Sequence, residues 1–277
     1  MLRVSLLTSL NWLASWLIWW SPLAAQEFRI ESQIYMGEST LPVSQNVTLF
    51  SEKLVCDFLM SNEVDPHPIE IVVLDPHQHL LVLLDVRQQI RVEIPDLQVL
   101  RLLDELRRET KQNEQAKFLL EDSFEEDTDW SQGFVTLTSP SIVYRFKGEQ
   151  PKQVMILPKY FEFLDSFTNL NATDPKKMPP FPRIRLNQSI KKLGWIPTEV
   201  QMSIIPNGFF REPMRAESKH TMTMGLTDKD RALIVAAKQY WTQFKAVTLT
   251  KYRGIEQPKI PIIARLNARN EKAAEDR

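Results

Sequence analysis

Hydrophobic and polar positions change period along this chain, and the changes mark its elements. Over residues 28–36 the apolar side chains Phe28, Ile30 and Ile34 fall on one parity with polar neighbours between them, the period-two pattern of a half-buried strand. Residues 46–50 and 54–60 read as two strands around a turn at Ser51-Glu52-Lys53. Residues 69–74 and 80–85 flank Asp75-Pro76-His77-Gln78. Asp at the first position and Pro at the second suit a type I turn, so this stretch predicts a hairpin. Residues 89–94 continue the meander.

The period then lengthens. Pro95 suits a first helical turn, where its missing N–H costs nothing, and Leu97, Leu100, Leu103 and Leu106 follow at helical spacing. The pattern fades at residues 111–114 and revives at Phe118-Leu119-Leu120. Residues 121–129 form an acidic stretch expected to be a solvated loop. It lacks the Asp/Asn spacing and central glycine of a calcium-binding EF-hand loop. Strands return at 134–138, 142–146 and 153–157. A second helix is predicted from Pro158, with Phe161, Leu164 and Phe167 inward, and a third from Pro182 to Leu193, ended by Gly194. Residues 198–205 read as a strand, Pro206-Asn207-Gly208 as a turn, and residues 220–224 as a segment pairing back. Thr227 caps a fourth helix, with Asp228 and Asp230 favoured in its first turn by the helix dipole and Leu233, Ala237, Tyr240, Trp241 and Phe244 on its apolar face. Residues 247–253 read as a last strand.

Strands in runs with short links, not alternating with helices, predict an α+β fold: a curved, mainly antiparallel β-sheet packed with three or four α-helices. The expected core includes Leu97, Leu100, Leu103, Leu106, Phe161, Leu164, Tyr240, Trp241 and Phe244. The expected organisation is a signal peptide over residues 1–25, an antiparallel sheet with two helices over 26–173, a linker over 174–182, a helix-strand-helix-strand portion over 183–254 packed on the first, and a disordered tail over 255–277. The leader reading rests on Arg3, the apolar run of residues 4–20, the helix-breaking Ser21-Pro22 and the small residues Ala24 and Ala25 before Gln26. It predicts export to the periplasm or medium with cleavage near Ala25-Gln26. A retained membrane anchor is the alternative, though the run is short and holds Ser5, Thr8, Ser9, Asn11 and Ser15. No transmembrane span is expected in the mature chain.

Charge narrows the partners. The 34 basic side chains less Arg3, against 35 acidic ones, leave a mature net of −2. That is no footprint for nucleic acid. Cys56 is the single cysteine, so no intramolecular disulfide is possible, and alternation places it with Leu54, Phe58 and Met60 as a buried hydrophobe.

Candidate chemistry is sparse. No glycine-rich phosphate loop, nucleophile elbow or H-E-x-x-H helix occurs. His77 and His79, with Asp75, are too few for a closed zinc site and read as an exposed hairpin tip. Asn46, Asn171 and Asn187 begin glycosylation-type tripeptides. Arg183, Arg185, Lys191 and Lys192 make a basic helix beside Phe181 and Trp195, either a solvated face or one that meets an anionic partner. The sequence assigns no catalytic, cofactor-binding or metal-ligating residue.

Several segments resemble an uncharacterised family of exported proteins from planctomycete-type bacteria: residues 46–50 (NVTLF), 70–75 (EIVVLD), Pro179-Pro180-Phe181-Pro182-Arg183 with Leu186-Asn187, 196–200 (IPTEV) and 226–231 (LTDKDR). That resemblance implies no activity and carries over no catalytic residue. The strand order, with the Asp75-Pro76 hairpin in its middle, is also similar to the curved antiparallel half-barrels of bacterial lipoprotein carriers. The leading expectation is an exported, non-catalytic binding or structural protein of the cell envelope, whose partner is a protein or an apolar ligand. The alternatives are a carrier of an apolar ligand such as lipid or lipoprotein, and a hydrolase whose site is scattered along the chain.

Overall fold

The computed structural model describes residues 27–120, 124–205 and 213–255. The predicted leader, the turn at Pro206-Asn207-Gly208 and the tail beyond Ile255 lie outside them.

One twelve-stranded sheet organises these residues. In chain order its strands are β1 (Phe28–Met36), β2 (Ser44–Phe50), β3 (Val55–Met60), β4 (Pro68–Asp75), β5 (Leu80–Asp85), β6 (Ile90–Pro95), β7 (Glu125–Asp129), β8 (Phe134–Thr138), β9 (Ile142–Glu149), β10 (Ile196–Ile204), β11 (Met214–Met224) and β12 (Lys245–Ala246). Across the sheet they run β12-β6-β5-β4-β3-β2-β1-β11-β10-β9-β8-β7. Every pairing is antiparallel except β12 with β6. The sheet is open and curved, and the fold is α+β. Because β11 pairs with β1 along the whole of β1, the chain before and after residue 174 contributes to one continuous sheet.

The helices divide between its two faces. On the inner face lie α1 (Asp96–Gln112), α2 (Leu157–Leu170) and α3 (Phe181–Leu193), packed over a core that includes Phe28, Phe50, Val55, Leu83, Ile94, Leu106, Tyr144 and Leu186. On the outer face α4 (Asp228–Gln243) lays Ile234 and Ala237 over Leu49, Cys56, Phe58, Val73 and Leu84. A single-turn helix, α5 (Leu249–Tyr252), follows β12. Strands covered on both faces need apolar residues at every position, which explains the unbroken runs 71–74 and 81–84 in β4 and β5.

The helix ends follow their local chemistry. Gly194 closes α3 at φ 65°, in the left-handed region. Thr227 and Asp230 form a reciprocal capping box at the start of α4, and Asp230 also takes an ion pair from Arg29 of β1 at 3.0 Å.

Several expectations are corrected. Residues 153–157 are not a strand: Val154–Ile156 form a single 3₁₀ turn that runs straight into α2. Leu97 and Leu100 are 69% and 46% exposed, and the buried face of α1 is Val99, Leu103, Leu106 and Thr110. A repeat of three residues drifts round a 3.6-residue helix, so that Leu97 lies about 180° from Leu106. Phe161, Tyr240 and Trp241 are only partly buried, whereas Leu103, Leu106, Leu164 and Phe244 are core. The acidic residues Glu125–Asp129 form the edge strand β7, paired with β8, and not a loop; an edge strand tolerates charge because one side faces water. Residues 247–253 are not a strand: Thr248 accepts a hydrogen bond from the Lys251 N–H and turns the chain into α5.

Candidate functional site

Between the inner face of the sheet and helices α2 and α3 lies a cavity of about 680 Å³. Register decides its floor. Ile30 stands opposite Thr48, which stands opposite Asp57, and Ser32 stands between Asn46 and His220. The parity that buries Phe28 and Phe50 at one end of β1 and β2 therefore presents Ser32, Ser44, Asn46, Thr48, Asp57 and His220 to the cavity farther along. Apolar walls come from Val72, Val200 and Met202 of the sheet and from Phe163, Leu164 and Phe167 of α2. The chamber is thus greasy on its walls and polar along a band of its floor.

Two hydrogen-bonded groups make up that band. In the first, Thr48 Oγ1 donates to Asp57 Oδ1 at 2.6 Å and Asn46 Nδ2 donates to Asp57 Oδ2 at 2.7 Å, while Ser44 Oγ donates to Asn46 Oδ1 at 3.1 Å. Burial pushes the Asp57 carboxyl up to about 6 despite these two donors, since desolvation of the charged form outweighs them. In the second, His220 bridges two hydroxyls, with Ser32 Oγ 2.8 Å from Nδ1 and Ser218 Oγ 2.9 Å from Nε2. A neutral imidazole offers one donor and one acceptor, which matches two hydroxyls. Burial, helped by the nearby Arg183 charge, brings His220 down to about 4, so it is neutral at ordinary pH. Among the described residues no carboxylate hydrogen-bonds this imidazole, so it lacks the acidic orienter of a hydrolase triad.

The other charged lining residues differ in how they are satisfied. Arg253 donates to Thr173 Oγ1 at 3.1 Å and lies 3.7 Å from Glu70 and 3.6 Å from Asp174. Lys177 is exposed in the 174–180 segment, which also brings Met178, Pro179 and Pro180 to the lining. Arg183, half-buried in the first turn of α3, takes part in no hydrogen bond or ion pair among the described residues. The rest of the basic helix is engaged elsewhere: Lys191 pairs with Asp165, and Lys192 with Glu126 at 3.2 Å.

The remaining sequence candidates lie apart. His77 and His79 are exposed on the β4–β5 turn, where Asp75 Oδ1 accepts from the His77 and Gln78 N–H groups at 3.1 Å each. No cluster of three or more potential metal ligands occurs among the described residues. Asn187 is buried and donates to Thr168 Oγ1, and Asn46 is tied to Asp57, so neither side chain is free for glycosylation. Cys56 is buried under α4, and desolvation pushes its thiol up to about 12. Sequence reasoning missed the cavity's polar floor. Its trace in the sequence is polar residues at inward parity: Ser32 between Ile30 and Ile34, and Asp57 within the apolar run 54–60.

Fold and cavity together define an open, curved antiparallel sheet roofed by helices over one amphiphilic chamber. No model of a known protein family matches the chain, and no curated protein sequence matches it. Among the described residues no helix is long and apolar enough to cross a membrane.

Proposed function

We propose that this protein is an exported carrier of an apolar-chain ligand such as a lipid. One observation carries the reading: the cavity of about 680 Å³ between sheet and helices, walled by Val72, Val200, Met202, Phe163, Leu164 and Phe167. A space of that size is within the range of about 300–1,000 Å³ that holds a single small ligand. A structural protein has no use for such a space, because unfilled apolar volume forfeits packing contacts. Of the two classes the sequence ranked highest, the interior favours carrier over scaffold. The leader predicted over residues 1–25 supports an envelope location, and there a carrier has an evident task, since a lipid chain crosses water only when its surface is covered.

Native mass spectrometry of the purified protein, with lipid extraction in parallel, tests this. The expected result is one amphiphile per chain, or one-to-one uptake of a chain offered to apo protein. Affinity should rise about fourfold for each added methylene until the cavity is full, from about 0.8 kcal/mol per buried CH₂. Narrowing the space with Ile34→Trp should weaken uptake of the longest chains first and leave the fold intact. A protein that takes up no chain of any length refutes the reading.

A further inference from the structure

We propose that the ligand of this cavity is an anionic amphiphile, its carboxylate or phosphate head held inside by Arg183 with the hydroxyls of Tyr144 and Tyr160. The inference rests on the carrier reading and names the class of ligand.

Three donors line the chamber without protein acceptors among the described residues. Arg183 lines the cavity from α3, Tyr144 from β9 and Tyr160 from α2. None of the three side chains takes part in a hydrogen bond among the described residues, and neither tyrosine hydroxyl is a sealed-off buried atom. Both phenol rings are buried, so their hydroxyls have the cavity to face. Arg183, both tyrosines and His220 line the same cavity, and the Arg183 charge acts on both phenols and on the imidazole.

A half-buried guanidinium has given up part of its hydration, and no hydrogen bond or ion pair among the described residues replaces it. Its planar fork of N–H groups matches carboxylate and phosphate oxygens, and the two phenols add neutral donors to the same acceptors. The carboxylates of the cavity do not fill this role. Asp57 is occupied by Thr48 and Asn46 across the floor, and Glu70 faces Arg253. Glu217 pairs with Lys219 at 3.4 Å. An acceptor-rich head brought by the ligand would complete Arg183, with the hydrocarbon chain against Phe163, Leu164, Val200 and Met202.

The test measures binding of three probes with one sixteen-carbon chain length and different heads: palmitate, hexadecyl phosphate and hexadecanol. Each is titrated calorimetrically into the full mature chain, its Arg183→Gln variant and its Tyr144→Phe/Tyr160→Phe variant. Wild type is expected to prefer at least one anionic probe over hexadecanol by about 10- to 100-fold, the worth of a charge-assisted hydrogen-bond set. Which of palmitate and hexadecyl phosphate binds better identifies the head. Arg183→Gln should lose that preference and keep the hexadecanol affinity, which also certifies that the variant is folded. The double Phe variant should lose part of it. Equal binding of all three probes by wild type overturns the inference and leaves the carrier reading standing, as does an anion preference that survives in Arg183→Gln. Failure of every probe to bind overturns both.

Discussion

Asp57 offers the sharpest energetic prediction. It is 4% exposed, sits on the cavity floor, and is held by two neutral donors and no ion pair among the described residues. Burial raises its carboxyl from the ordinary 3.8 to about 6. The folded protein therefore holds this proton more tightly than the unfolded chain does. Between about pH 4 and pH 6 the unfolded state has released the proton and the folded state has not, so raising the pH favours unfolding. The stabilisation is complete below about pH 4 and gone above about pH 6. At about 1.4 kcal/mol per pH unit it amounts to ~3 kcal/mol. Asp57→Asn is neutral throughout and removes this dependence. It also sets an amide N–H₂ against one of the two donors, a constant offset of about 1 kcal/mol that does not vary with pH. Urea unfolding of both proteins at steps from pH 4 to 7.5 measures the difference directly. Wild type should lose ~3 kcal/mol relative to the variant across that interval. Parallel curves, with a difference constant to about 0.5 kcal/mol, would show that Asp57 is not desolvated, and the polar floor would have to be redrawn as a wet surface.

Other expectations concern the framework. Leu106→Ala should cost about 2–5 kcal/mol, while Leu97→Ala on the opposite side of α1 should stay within about 0.5 kcal/mol in the same denaturation assay; equal costs would contradict the assigned helix face. Thr227→Ala removes half of the capping box of α4 and should lower stability by about 1 kcal/mol, measured by thermal unfolding. The Cys56 thiol, pushed up to about 12 by burial, should resist a disulfide reagent at pH 8 in the native protein and react fully once denatured; rapid native labelling would mean that α4 does not cover the outer face.

Local rules made much of this architecture legible in the sequence. Alternation in β1, and short apolar runs bounded by turn residues in β2 to β5, let these strands and the Asp75-Pro76 hairpin be read directly. Caps act within one turn, so Gly194 and Thr227 marked helix ends correctly. The α+β class followed from the order of those pieces. What depends on neighbours distant in the chain could not be read. Whether β11 pairs with β1, making one sheet of the chain's two parts, is decided by contacts nearly two hundred residues apart. Apolar spacing at threes left the face of α1 ambiguous, and packing against the inner sheet chose Val99, Leu103 and Leu106 over Leu97 and Leu100. The basic helix posed the same problem: its charges read alike in sequence, and only the fold turns Arg183 toward the cavity while Lys191 and Lys192 find acidic partners. Local propensity sets what each segment can be. A cavity belongs to no segment, and it exists only where a curved sheet and a helical roof leave space between them.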